Sequence, residues 1–344
     1  METILFLAHA EADGRLPRAA LEALTAARAL AVGSKGTLVA GVFGANTAPA
    51  AAQLGGAGVA RALAVTLPEL AEARYATDAA AAEALARSAA ATLVVAPSTS
   101  RLARVLPGVA GRLGGRVDTH ATGLSVLDGG PVVTRWFYRQ RIEAQLSRAQ
   151  RPWLVLVDAG CHAPFEASGE APAFSAVLLS LGPAERRTRV VGLRAPRSDA
   201  QTIRPDARLL FVAGAGWTKK QADGQPHVER AGQIILSFLG ASQASLGSSK
   251  SLVDQSGEGQ AVLPFLSHLN QVGQTGSTPR HPKGLATCCH GEEPHVVGWR
   301  FIHERRAVNL DPGCGWARGK ADVLYVADAF EVMEKVSALL AGRK

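Results

Sequence analysis

Short apolar runs alternate with alanine-rich segments of helical period through the first half of the chain, and that alternation leaves few folds open. Thr3 to Ala8 is apolar at nearly every position, as a strand buried on both faces must be. In Leu16 to Ala31 the residues Ala20, Leu24, Ala27 and Ala31 recur at helical spacing and set one apolar stripe against the sheet. Thr37 to Val42, Ala62 to Thr66 and Thr92 to Ala96 read as further strands, with helices over Ala48 to Leu54 and Ala79 to Ala90. This βαβ period predicts a parallel sheet covered on both faces. After Asp118 the pattern changes to strand-like segments with charges between them, Val132 to Tyr138 and Trp153 to Val157, which complete the same sheet.

Cys161 to Ala173 carries two prolines, a glycine and few large apolar residues, and suits a connector. Two more apolar runs follow, Ala176 to Leu181 and Val190 to Leu193, and then a polar stretch bracketed by Pro196 and Pro205. A boundary near Ala200 divides the chain into domains 1–200 and 201–344. The second opens with a strand, Leu209 to Ala213, running into Gly214-Ala215-Gly216, and continues with a helix over Val228 to Leu239. A small-residue loop from Gly240 to Lys250, a turn-rich segment from Gln271 to Gly276 and late strands over Val296 to Phe301 and Arg306 to Leu310 complete the reading. The fold class is α/β, with two Rossmann-like parallel-sheet domains.

With 47% hydrophobic and 19% charged residues in 344, the chain is too apolar for disorder and long enough for two cores. No window reaches the roughly 18 apolar residues that a membrane span needs, and Met1-Glu2-Thr3 lacks a basic leader, so a cytoplasmic protein without membrane insertion is expected. Cys161, Cys288, Cys289 and Cys314 are too irregularly spaced for a disulfide framework. The charge of +8 comes from scattered arginines, among them Arg135, Arg139, Arg141, Arg148 and Arg151, which read as a solvated face. No aromatic-basic platform or helix-turn-helix pattern accompanies them, so nucleic acid is not an expected partner; an acidic protein partner explains the excess equally well.

Two strings stand out chemically. In Gln271-Val272-Gly273-Gln274-Thr275-Gly276 two glycines free the backbone while two amides and a hydroxyl supply directed hydrogen bonds. Upstream, Gly247-Ser248-Ser249-Lys250-Ser251-Leu252-Val253-Asp254 sets hydroxyls and one cation beside a glycine, which suits a phosphate or the electron-rich edge of a flavin. Each alone is also what a surface loop or a turn looks like.

Taken in order, the strings resemble the alpha subunit of the electron transfer flavoprotein family over nearly the whole chain. That signature runs GxSRxxxD, QVGQTG, GISGAxQH, INKDP and a terminal AD, matched here by Gly247 to Asp254, Gln271 to Gly276, Cys288 to His295, Val308 to Pro312 and Ala321-Asp322. Thr3 to His9, Ala96-Pro97-Ser98-Thr99 and Thr134 to Tyr138 look like the family's N-terminal domain. The resemblance implies a nucleotide-hydrolase-like α/β domain that packs with a beta subunit, itself an AMP carrier in the family's usual form, and a C-terminal α/β domain that holds FAD. It sets Ser249 and Lys250 at the isoalloxazine, Thr275 near flavin N5 and His295 near the C2 oxygen. Gln271 and Gln274 line the flavin and ribityl chain, Val272, Gly273 and Gly276 shape the same loop, Gly291 survives from the pyrophosphate stretch, and Asn309 and Asp322 face the adenosine end. The implied function is that of an electron carrier without a substrate of its own, serving a flavin dehydrogenase and a quinone reductase or iron-sulfur acceptor.

Three departures qualify that expectation. The family's Gly-Arg-Gly is Gly214-Ala215-Gly216 here, and its serine-arginine pair ends in Lys250, which keeps the charge but loses the planar guanidinium. Its GISGA stretch reads Cys288-Cys289-His290-Gly291-Glu292, followed by Glu293 and Pro294, and two carboxylates near a diphosphate repel it unless they point away. A structural subunit that keeps the fold but has lost or weakened FAD binding is therefore the alternative. Cys288-Cys289-His290 with Cys314 invites a metal reading, but adjacent cysteines rarely chelate one tetrahedral ion and no CxxC is present. No metal is expected, and inert or redox-labile thiols fit better, a vicinal disulfide sensor among them.

Overall fold

The computed structural model describes residues 2–137, 142–192, 203–204, 207–254, 261–273, 276–277, 279–287, 302–313 and 321–342. The chain divides into two compact units, Met1–Leu193 and Arg194–Lys344.

The first unit is built on β1 (Thr3–His9), α1 (Arg18–Ser34), β2 (Thr37–Gly44), α2 (Ala50–Gln53), β3 (Arg61–Thr66), α3 (Tyr75–Ser88), β4 (Leu93–Pro97) and α4 (Ser100–Arg112). There follow β5 (Arg116–Leu127), β6 (Gly130–Phe137), β7 (Ile142–Leu146), β8 (Trp153–Val157), β9 (Phe174–Ala176) and α5 (Pro183–Arg186). The nine strands form one sheet in the order β7-β6-β5-β8-β4-β1-β2-β3-β9. Its β5-to-β9 part is parallel, while β6 and β7 extend it as an antiparallel hairpin. Ile4, Phe6 and Ala8 face the α1 core; Leu5 and Leu7 face α3 and α4. Burial on both faces is why these strands read as unbroken apolar runs.

Helix α4, absent from the sequence reading, contains Pro107 and three arginines. Thr99 caps it by accepting from Leu102 N at 3.3 Å. Arg101 in its first turn is buried and grips Asp78 of α3 through Nε and Nη2 at 2.8 and 2.7 Å, with a third bond to the Leu70 carbonyl. The arginine is thus a core residue whose charge is met inside the fold.

The expectation that Arg135, Arg148 and Arg151 form a solvated face is overturned. Buried Asp118 of β5 accepts from Arg148 at 2.5 and 2.9 Å, from Arg135 of β6 at 3.4 Å and from Trp153 Nε1 of β8 at 2.8 Å. Burial alone would raise this carboxyl, but the Arg148 and Trp153 hydrogen bonds and the two guanidinium charges outweigh it and hold it below its usual range. Arg151 pairs with Glu2 instead. Arg139 and Arg141 lie outside the described residues.

The connector is anchored rather than slack. Gly160 N donates to buried Glu22 of α1 at 2.5 Å, Phe165 N to the Leu21 carbonyl at 3.0 Å and Ser168 N to the Gly55 carbonyl at 2.9 Å, before β9 pairs with β3. The apolar runs after it are not core strands: Leu178 and Val191 are 95% and 88% exposed.

The second unit contains β10 (Leu209–Ala213), α6 (Val228–Ser242), β11 (Ser245–Ser248), α7 (Lys250–Asp254), β12 (Lys283–Thr287), β13 (Glu304–Asn309), β14 (Val323–Val326) and α8 (Ala329–Ala341). All five strands are parallel, in the order β11-β10-β12-β13-β14. Phe211 and Leu246 pack with Ile235 and Phe238 of α6 and with Phe330 and Met333 of α8; Leu210, Val212 and Ala307 face the other side. Where a loop was expected from Gly240 to Lys250, β11 stands as an edge strand, and the expected strand Val296 to Phe301 lies outside the described residues. No described helix is long and apolar enough to cross a membrane.

Candidate functional site

In the second sheet the chain starts in β10, turns one way to β11 and the other way to β12, so the winding reverses beside β10. Open parallel sheets bind ligands outside the carboxyl ends of their strands at such a switch point. Here that edge carries Gly214 after β10, Ser248 and Ser249 at the end of β11, Thr287 ending β12 and Asn309 ending β13.

Hydrogen bonds fix this edge. Gly214 N donates to the Thr287 carbonyl at 2.8 Å and Ser249 N to the Ala213 carbonyl at 2.8 Å. Buried Trp217, in the 3₁₀ turn Ala215–Trp217, donates from Nε1 to Thr287 Oγ1 at 2.9 Å and packs on Phe330 at 4.6 Å between ring centroids. The turn after β10 is thus tied to the core by an indole.

The two strings singled out in the sequence meet here. Ser248 pairs with Gln271 in a parallel bridge, and Val272 N donates to the Ser248 carbonyl at 2.9 Å. Beyond it the chain closes on itself: Gly273 N bonds the Ser277 carbonyl at 2.8 Å, and Ser277 N bonds the Gln271 carbonyl at 2.8 Å. Gly273 has φ +84°, a conformation that favours glycine, and a Cβ on Gly276 would stand 2.3 Å from the Gln271 carbonyl oxygen. The glycines are therefore required by the turn itself.

The side chains divide by role. Gln271 is buried and donates from Nε2 to the Gly273 carbonyl at 3.2 Å, which spends its amide on the turn. Val272 is a core residue. Buried Ser249 caps α7, accepting from Leu252 N at 3.3 Å. Lys250 is half-exposed and pairs with Asp254 at 3.4 Å. Gln274, Thr275, Gly291 and His295 lie outside the described residues, as do Cys288 to Pro294 and Cys314.

Asp322 stands apart. It precedes β14 at the amino edge of the sheet and is engaged by Arg305, whose backbone N and Nη2 donate at 2.6 and 2.9 Å. Those bonds hold its carboxyl below the usual range. The aspartate at the carboxyl end of β14 is Asp328, six residues on, which caps α8 by accepting from Phe330 N and Glu331 N at 2.8 and 3.1 Å. A second Ala-Asp, followed three residues later by Glu331, was the available signal.

Two polar atoms on this edge are buried without a hydrogen-bond partner among the described residues, Ser248 Oγ and Asn309 Oδ1. Their strands are three spacings apart, about 14 Å. A hydroxyl can donate or accept and an amide oxygen accepts, so the pair suits an elongated ligand with polar groups along its length. With the glycine turn and the rim cation Lys250, these donors and acceptors fit an extended dinucleotide such as FAD.

The first unit has its own switch point, between β1 and β4. There buried His9 lies 3.3 Å from Glu11 through Nε2, and its pKa is lowered by burial and by the Arg101 charge. No described cluster of three or more histidine, cysteine or acidic side chains could hold a metal ion.

Comparison with known proteins bears on the first unit. Residues 4–179, just over half of the chain, match the family model described as the electron transfer flavoprotein domain. No curated protein matches the chain.

Proposed function

This chain belongs to the electron transfer flavoprotein family, and from that premise we propose that it is the FAD-holding alpha subunit of a heterodimer that passes electrons between protein partners. The carrying observation is the junction of the two strings: Ser248 and Gln271 are bridged at the carboxyl edge, beside the switch point of a doubly wound sheet. Two buried polar atoms on the same edge without a partner among the described residues, the Ser248 hydroxyl and Asn309 Oδ1, support a polar, elongated ligand there.

When bound, FAD would supply one- and two-electron redox chemistry. The residues in this reading bind and orient it. Lys250 offers a positive charge to the ring, which stabilises the negative charge that added electrons bring. Ser249, fixed by its helix cap, and the backbone bonds that tie Gln271, Gly273 and Ser277 hold part of the seat in place ahead of binding, which lowers the ordering cost. Thr275 and His295 carry their expected roles at N5 and the C2 oxygen in the same reading. Asn309 offers Oδ1 toward the adenosine end, and Asp328 is a better-placed neighbour of that end than Asp322. The first unit provides the contact with the beta subunit; the electron donor is a flavin dehydrogenase and the acceptor a quinone reductase or an iron-sulfur protein.

Glu292 and Glu293 favour a second reading, a structural subunit with lost or weakened FAD binding. Co-expression with the beta subunit separates the two. A yellow complex whose flavin is photoreduced supports the carrier, whereas a colourless complex that takes up no added FAD rejects it.

A further inference from the structure

Lys250 and Asp254 are the first and last residues of α7, with Nζ 3.4 Å from Oδ2. The other carboxylate oxygen, Oδ1, lies 3.7 Å from Nε2 of His268, on the 3₁₀ turn His268–Asn270 that leads directly into Gln271. Asp254, the last residue of the first string, thus faces Lys250 of the same string and His268, three residues ahead of the second. The pair is not there for the helix. A lysine at the amino end and an aspartate at the carboxyl end each meet the like-signed end of the helix dipole, and this order is the weaker of the two at a spacing of four. Being 45% and 36% exposed, the two side chains also gain little from each other in stability. What the contact does is electrostatic and local: a ligand at the rim meets a Lys–Asp pair in place of a bare cation.

We infer that Asp254 is a positioning residue that holds Lys250 at the rim of the site and withholds part of its charge from the ligand, so that it sets the reduction potential of the bound flavin. The inference rests on the FAD reading above. Removing the carboxylate charge leaves Lys250 uncompensated, and the reduced, more negative ring gains over the oxidised one.

The test uses the full-length chain co-expressed with its beta partner and loaded with FAD. In Asp254→Asn the preference for reduced over oxidised flavin should rise about three- to tenfold, which raises the midpoint of the two-electron couple by about 15–30 mV. Asp254→Glu should return the parent value. In a Lys250→Gln background the same Asp254→Asn change should do little, since the aspartate acts through the lysine. Where the amide disturbs assembly, Asp254→Ser carries the same expected sign. An unmoved potential in a yellow complex overturns the inference and leaves the FAD reading intact, and an equal shift in both backgrounds overturns the positioning role. A colourless parent complex overturns both.

Discussion

Ser248, the last residue of β11, and Gln271, the first of the glycine-rich hexamer, are bridged neighbours across 22 intervening residues, with Val272 N donating to the Ser248 carbonyl at 2.9 Å. The bridge makes one rim out of two separate loops. A hydroxyl-rich turn that opens α7 and a backbone turn that needs glycine come to share one edge of the sheet, next to the point where its winding reverses.

Gly276→Ala tests that rim directly. The added Cβ would stand 2.3 Å from the Gln271 carbonyl oxygen and 2.8 Å from its carbon, both backbone atoms that cannot move without opening the bridge. An overlap of this kind costs about 1–3 kcal/mol. The turn should open, FAD retention should fall, and the first unit should keep its thermal transition. Full flavin content after gel filtration of the variant complex would show that the turn takes no part in binding.

Asn309→Ala reads the other end. Asn309 Nδ2 donates to the Asp311 carbonyl at 3.2 Å, so the flavin-free chain should lose about 0.5–1.5 kcal/mol of stability, while Oδ1 has no partner among the described residues and is left for a ligand. A lost hydrogen bond to a ligand costs about 0.5–1.5 kcal/mol, so FAD affinity should fall roughly two- to twelvefold. Equal affinities by fluorescence titration would remove Asn309 from the site.

The parallel core was legible because burial on both faces leaves an unbroken apolar run, as in Thr3–His9, Trp153–Val157 and Leu209–Ala213. Strand β11 was not, since Ser245-Leu246-Gly247-Ser248 offers one large apolar side chain. Its Ser245 Oγ accepts from Arg204 N at 2.7 Å, a tertiary contact that no local pattern announces. Helix α4 was hidden by its arginines and Pro107, because a buried Arg101 is intelligible only once Asp78 is known to face it. The hexamer was legible as a motif, but the inward turn of Gln271 and the burial of Val272 were not: which side chain of a loop points into the protein depends on the strand beside it. Asp322 and Asp328 show the same limit, as two identical dipeptides lie at opposite ends of one strand.

Asp118 should be the least replaceable side chain of the antiparallel extension. Asp118→Ala strands Arg148, Arg135 and the Trp153 indole N–H, and breaking such a cluster costs about 3 kcal/mol, the low end for buried pairs because Arg148 is partly open to water. Its carboxyl is held below the usual value in the fold. The stabilisation is therefore complete above about pH 3.9 and is lost as pH falls below that, through the folded value. Denaturant unfolding between pH 5 and 3 should show a falling midpoint in the parent and a flatter one in Asp118→Asn. Parallel curves would remove Asp118 as the acid-labile group.

Two histidines of the first unit act over a higher pH range. Burial lowers the pKa of His9, helped by the Arg101 charge and opposed by Glu11 and Asp78; burial lowers that of His162, opposed by Glu22. Both imidazoles are thus harder to protonate in the fold than in the unfolded chain, where the value is about 6.5. As pH falls below about 6.5 the unfolded chain gains protons that the folded chain refuses, so stability present above that point is lost as pH drops through the folded values, by at most about 1.4 kcal/mol per pH unit for each group. His9→Gln, whose amide can still donate to Glu11, and His162→Gln should each flatten the fall in melting temperature between pH 7 and 5. A double variant that keeps the parent's slope would assign that pH dependence to other groups. The Glu22–Gly160 anchor beside His162 makes the connector the first segment to loosen, and amide exchange at Gly160 and Phe165 should accelerate on acidification before exchange in β1 does.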